Sequence, residues 1–125
     1  MTLNEYQDRA MSTRMDTCDN ISYMILNLVG EVGELSSKLA KHIRKGEAGI
    51  GLEGDSRLYW SGRVDEDTEK HYLTLISKEA GDILWQLAGL CDVLGFSLEE
   101  VAEQNLAKLA DRKQRHVIDG NGDER

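Results

Sequence analysis

Not one of the 125 residues is proline, and that leaves long helices as the simplest way for this chain to satisfy its backbone. Proline removes a donor and clashes with the preceding turn, so here only glycine and polar clusters can end a helix. Between about residues 19 and 45, apolar side chains recur at Ile21, Ile25, Leu28, Val32, Leu35, Leu39 and Ile43, in the three- and four-residue steps of one helical face. A second such run, about 67 to 94, passes through Tyr72, Ile76, Ile83, Leu87, Leu90, Cys91 and Leu94 and stops at Gly95, placed as a C-cap glycine. Ser97 and Glu100 then form an S-x-x-E capping box that opens a helix reaching about Arg115. A shorter segment, about 3 to 15, carries Leu3, Tyr6, Ala10 and Met11 on one face. Between the second and third helices, residues 46–65 hold five of the twelve glycines and no sustained period, which predicts a long loop with room for a short hairpin. The economical arrangement is an all-α, four-helix bundle. One domain spanning 1–125, with its core at about 19–115, suits this length and the 40% hydrophobic content.

Charge and composition narrow the function. Fifteen basic against 23 acidic residues give a net charge of −8, so a nucleic-acid polyanion is repelled unless basic groups segregate on one face. The densest basic run, Arg112, Lys113 and Arg115, is too short for that. There is no apolar run of membrane-spanning length, and the start, MTLNEYQDRAM, lacks the order of a signal peptide. Cys18 and Cys91 are far apart, with neither metal-ligand spacing nor a disulfide framework, and Cys91 reads as a small core residue. The expectation is a soluble, cytoplasmic protein with no nucleic-acid or membrane partner.

One cluster is written twice. VGEVGEL at 29–35 and SKEAGDI at 77–83 both fit Glu-x-Gly-(Glu/Asp)-(Leu/Ile), 48 residues apart. With Leu28 at 0° on its helix, Glu31 falls at about 300° and Glu34 at about 240°, on one flank of the apolar stripe. With Ile76 at 0°, Glu79 and Asp82 take about the same 300° and 240°. Packed stripe to stripe, the helices would bring the four carboxylates to one edge of their seam. Without cations they would repel and raise one another's pKa, and hard cations with oxygen ligands, Mg²⁺ or Mn²⁺, fit that need. A di-iron bundle would want Glu-x-x-His pairs, but Leu39, Thr68 and Lys113 precede His42, His71 and His116 at the third position. Gly30, Gly33 and Gly81 each cost about 1 kcal/mol relative to alanine in a helix, which predicts a close approach by a backbone, a metal-bound water or a ligand.

GEVGEL, then KEAGDILWQLAGL, then the SLEEVAEQNLAKLADR helix together resemble the MazG-like all-α nucleoside triphosphate pyrophosphohydrolases, over most of residues 20–115. That family's pattern is E-E-x-x-E followed by E-x-x-D. Its carboxylates bind Mg²⁺, and its reaction splits a nucleoside triphosphate between the α and β phosphates into monophosphate and pyrophosphate. The resemblance therefore assigns metal binding to Glu31, Glu34, Glu79 and Asp82; one of these carboxylates would also act as the base, for which Glu34 and Glu31 are the candidates. Two departures stand out: Gly30 occupies the place where the family often has its first glutamate, and the segment 35–78 is longer than usual, so its loop could be a lid or a specificity element. Dimeric dUTPases and phosphoribosyl-ATP pyrophosphohydrolases share this helical plan, and a nucleotide- or Mg²⁺-binding protein without turnover is the non-enzymatic alternative.

Other residues could touch a nucleotide. Asn105, Lys108 and Arg112 share a face of the last helix with Val101, where Lys108 and Arg112 could hold phosphate oxygens. The resemblance of NLAKLADR to the family's corresponding helix favours Asn105 and Lys108. Lys38, one turn beyond Glu34, is a phosphate candidate or a partner for Glu34. Trp85, beside Asp82 and away from the stripe, reads as a base-stacking residue or an oligomer contact. Tyr59 and Trp60 could cover a base, although adjacent loop aromatics more often anchor a loop. His42 and His71 read as surface histidines. A homodimer or a dimer of dimers is expected, because so few helices enclose the carboxylates and aromatic faces poorly. The tail from His116 carries no chemistry that can be assigned.

Overall fold

The structure, a computed structural model, describes residues 1–50 and 58–120. Among these the chain is all-α, with four α-helices and one small hairpin: α1 (Leu3–Met11), α2 (Ile21–Arg44), β1 (Ala48–Ile50), β2 (Leu58–Trp60), α3 (Glu66–Val93) and α4 (Leu98–Gln114). No described helix is long and apolar enough to cross a membrane. Residues 51–57 of the glycine-rich loop, and the tail beyond 120, lie outside the described residues.

The helix ends follow local chemistry. α4 starts with the expected capping box: the Ser97 hydroxyl accepts from the Glu100 amide, and the Glu100 carboxylate accepts from the Ser97 amide. α3 is capped by Asp65, whose carboxylate accepts from the Thr68 amide at 2.8 Å. α2 and α3 both close in Schellman turns on a glycine with positive φ. Gly46 lies at φ 67°, with Glu47 N donating to His42 O, and Gly95 lies at φ 77°, with Phe96 N donating to Cys91 O. After α4 the same turn places His116, not glycine, at φ 56°. α1 ends at Met11 and not near 15, because the Ser12 and Thr13 hydroxyls donate to Arg9 O and Ala10 O while the backbone tightens into i+3 bonds. A short 3₁₀ helix, Asp16–Cys18, follows.

The residues divide into two compact units, Met1–Ile21 with Ala88–Arg125, and Ser22–Leu87. In the first, Ala88, Cys91 and Leu98 form a buried cluster with Tyr6, Met11 and Val101 packed on it, so Cys91 is the small core residue expected, and burial pushes its thiol up. Gln7 is buried here with its amide satisfied: Nε2 donates to Ala88 O and Phe96 O, and Oε1 accepts from Leu98 N at 2.7 Å. Arg14 bridges Asp19 and Asp92 at 2.7 and 2.8 Å.

In the second unit, α2 and α3 run antiparallel, since contacts step from Glu31 with Asp82, through Lys38 with Glu79, to His42 with Tyr72. The hairpin pairs Ala48 with Trp60 and Ile50 with Leu58. Trp60 lies 5.4 Å from both the His42 and Tyr72 rings, and His42 Nδ1 bonds Glu47 at 2.8 Å. His42 is therefore buried, and its reading as a surface histidine is corrected; His71 is exposed. The apolar stripe of α2 is also less buried than its spacing predicts: Ile25, Val32 and Ile43 are nearly half exposed; off the stripe, Leu26 and Val29 are more exposed still, while Met24 is fully buried.

Candidate functional site

The doubled cluster converges within the Ser22–Leu87 unit. One turn of α2 and one of α3 face each other so that a carboxylate oxygen from each of Glu31, Glu79 and Asp82 lies within 4.8 Å of the others. These residues grade from buried Glu79, through half-buried Glu31, to exposed Asp82, so the cluster opens to solvent on one side. Glu34 is not part of this constellation. It sits about 60° farther round α2 than Glu31, exposed, lining an open trough with Gly30, Gly33, Ser37, Lys38 and Lys41.

The electrostatics carry the strain expected of gathered acids. Partial burial first, and the neighbouring Glu34 next, raise Glu31 above its ordinary value; Asp82 and Glu79 push the same way, and the Asn27 amide, donating at 3.0 Å, opposes them. Asn27 was not singled out from the sequence, although its place four residues before Glu31 puts it on the same helical face. Glu79 Oε1 is bound by the Lys38 ammonium, so Lys38 reaches across to α3 rather than pairing with Glu34 along its own helix. The other oxygen, Glu79 Oε2, is buried with no hydrogen-bond partner. A buried carboxylate oxygen without a donor is unfavourable unless something else supplies positive charge. That orphaned oxygen beside two further carboxylates suits a hard divalent cation with oxygen ligands. The same donor set, free of sulfur and imidazole, does not suit softer metals.

Of the three neighbours expected at the helix glycines, another backbone is not found among the described residues. A Cβ added at Gly33 or Gly81 would meet nothing within 4 Å, and at Gly30 only Asn27 Oδ1 at 3.9 Å. Close packing by the described residues therefore does not explain them. They leave the face beside the carboxylates smooth and open.

The remaining candidates are spread out. Trp85 is half-buried on α3, one turn after Asp82. Trp60 packs on His42 and Tyr72, as a loop anchor does. Tyr59 lies in β2. Asn105 and Lys108 belong to the other unit, where they line an open recess of about 500 Å³ with Val101 and Gln104. Arg112, expected on that same surface, is instead buried, with the chain turning back after α4 to bond Val117 N to Arg112 O.

The profile of the MazG nucleotide pyrophosphohydrolase domain matches residues 20–117. A protein of Mycobacterium phage L5 described as Gene 37 protein is 34% identical over 110 residues, covering 88% of this chain and 81% of the relative. No solved structure matches.

Proposed function

We propose that this chain, which belongs to the MazG nucleotide pyrophosphohydrolase family, hydrolyses a nucleoside triphosphate to monophosphate and pyrophosphate in a Mg²⁺-dependent reaction. The single observation that carries the reading is the convergence of Glu31, Glu79 and Asp82, with the buried Glu79 Oε2 left without a donor. These three would hold the metal, with Glu34 at their open flank. Mg²⁺ or Mn²⁺ in such a site offsets phosphate charge and lowers the pKa of a bound water.

The chain's own residues supply the rest. Asn27 fixes the Glu31 carboxylate from one side, and Lys38 fixes that of Glu79 from the other. Glu34, exposed and close enough to Glu31 to raise it, is the group we assign as base, taking a proton from the attacking water. The water oxygen bonds to the α phosphorus as the bond from that phosphorus to the α–β bridging oxygen breaks, and the electron pair leaves with pyrophosphate. Asn105 and Lys108 are assigned to the nucleotide on their resemblance to the family's corresponding helix. The protein works as a homodimer or homotetramer, supported by the exposed apolar side chains of α2, Leu26 and Val29 foremost. Light scattering at micromolar concentration checks this, and a monomeric mass would refute it.

The test of activity is pyrophosphate release from a panel of canonical and modified nucleoside triphosphates, with Mg²⁺ and with EDTA, for the native chain and for Glu34→Gln and Asp82→Asn. Metal-dependent release that both substitutions abolish supports the reading, and the preferred base names the substrate. Release from dUTP or phosphoribosyl-ATP alone would assign the narrower relatives' activity. Mg²⁺ binding without release from any triphosphate would refute turnover and leave a binding protein, in keeping with the missing acid at Gly30.

A further inference from the structure

Beyond the carboxylates, the same pair of helices builds a second feature of opposite charge. Lys38 and Lys41 on α2, and Lys45 just past its end with its amide still bonded to Lys41 O, follow one another at steps of three and four residues, so they share one face. They rim a pocket of about 160 Å³ whose far wall is Tyr72, Leu75 and Ile76 of α3. Lys38 is bound to Glu79, but neither Lys41 nor Lys45 has an ion-pair partner among the described residues. In a chain of net charge −8, two ammoniums on one face with no ion-pair partner among the described residues repel each other. The argument that asks for a cation at the carboxylates asks here for an anion.

The position selects the kind of anion. Lys38 and Lys41 line both this pocket and the open trough that holds Glu34 and the glycines, so the two are joined along α2. Lys41 is seven residues beyond Glu34, a rise of about 10 Å, within reach of the distal phosphates of a nucleotide whose α phosphate lies at the carboxylates. The pocket's chemistry also favours phosphate over a stacked base. Its charged groups are ammonium donors, His42 Nδ1 is committed to Glu47, and the Tyr72 ring already packs against His42 at 4.1 Å and Trp60 at 5.4 Å.

We infer that the Lys38–Lys41–Lys45 pocket is a pyrophosphate subsite, holding the β and γ phosphates of the substrate and then the leaving pyrophosphate. This rests on the reading of the carboxylate cluster as the hydrolytic site. It gives the hairpin a part as well: Trp60, packed on Tyr72 and His42, steadies the pocket wall, so the long loop serves the phosphate end of the substrate.

The experiment is calorimetric titration of the full chain with inorganic pyrophosphate in EDTA, which reads the pocket without hydrolysis. The native protein and Lys41→Arg/Lys45→Arg should bind, and Lys41→Ala/Lys45→Ala should bind at least tenfold more weakly. Lys70→Ala, which removes a lysine paired with Glu66 at 3.0 Å, should bind as the native chain does. In turnover, the double alanine variant should raise KM for triphosphate more than it lowers kcat, and leave inhibition by the monophosphate unchanged. Undiminished pyrophosphate binding by that variant, or none by the native chain, overturns the subsite even if hydrolysis is found. Binding lost as predicted with no hydrolysis of any triphosphate would overturn the enzymatic reading and leave the anion pocket standing.

Discussion

Replacing Lys38 by methionine separates charge from packing at the centre of the site, because methionine keeps most of the aliphatic stem and removes the ammonium. Glu79, its partner, is 8% exposed in its side chain, whereas Lys38 is 38% exposed. Removing one member of a fully buried pair costs about 3–5 kcal/mol, and an exposed pair contributes about 0.2–1 kcal/mol. This pair, with a buried acid and a part-solvated base, falls between, at about 2 kcal/mol. With an unfolding entropy of about 2.1 cal/mol/K per residue, that lowers Tm by about 8 °C. The loss should be full in EDTA and shrink in millimolar Mg²⁺, because the variant's uncompensated carboxylates gain more from a bound cation than the native cluster does. Thermal unfolding followed by circular dichroism, with and without Mg²⁺, reads both quantities. A variant as stable as the native chain in EDTA, or a deficit that Mg²⁺ leaves untouched, would refute the claim that Lys38 compensates a carboxylate cluster able to take a cation.

Three further outcomes are expected. Gly33→Ala and Gly81→Ala, with open space at both Cβ positions, should each raise metal-free stability by about 1 kcal/mol in urea unfolding; a loss would show that their backbones are closely packed after all. His116→Gly should stabilise the chain by about 0.5–1 kcal/mol, since His116 holds φ 56° at a Schellman position that glycine enters without a Cβ clash; an unchanged urea midpoint would contradict this. Asp65 is held below its ordinary 3.8, first by the Thr68 backbone amide it caps and then by the Thr68 side chain. Because the folded value is the lower one, its stabilisation is complete above 3.8 and disappears as pH falls through the folded value. Asp65→Ala should accordingly lower Tm at neutral pH and lose that effect in strong acid, a difference that melting curves across pH would show or exclude.

The elements whose signals are local could be read from the sequence. Ser97, Glu100 and Gly95 act within a turn of their own helix, so the end of α3 and the start of α4 follow from chain order. Helical periodicity also puts Glu31 on one flank of α2 and Glu79 and Asp82 on the matching flank of α3, and the facing turns bring their oxygens together. What escaped depends on partners far along the chain. His42 is buried by Trp60 and Tyr72, which the hairpin and α3 bring to it. Lys38 selects Glu79 across the helix pair, where i, i+4 reasoning offers only Glu34. Arg112 is buried in the unit where the chain reverses through His116, and no pattern within α4 announces that turn. The half-exposed stripe of α2 escaped for another reason: periodicity shows that a face is apolar, but not whether the same chain or a second copy covers it.

The central claim, that gathered carboxylates direct water to the α phosphorus, is tested most directly by phosphorus NMR of the products formed from a nucleoside triphosphate by the native chain in Mg²⁺. The account predicts monophosphate and pyrophosphate in equal amounts, absent in EDTA. Diphosphate with inorganic phosphate, or an unchanged triphosphate under conditions where Mg²⁺ is bound, would contradict it.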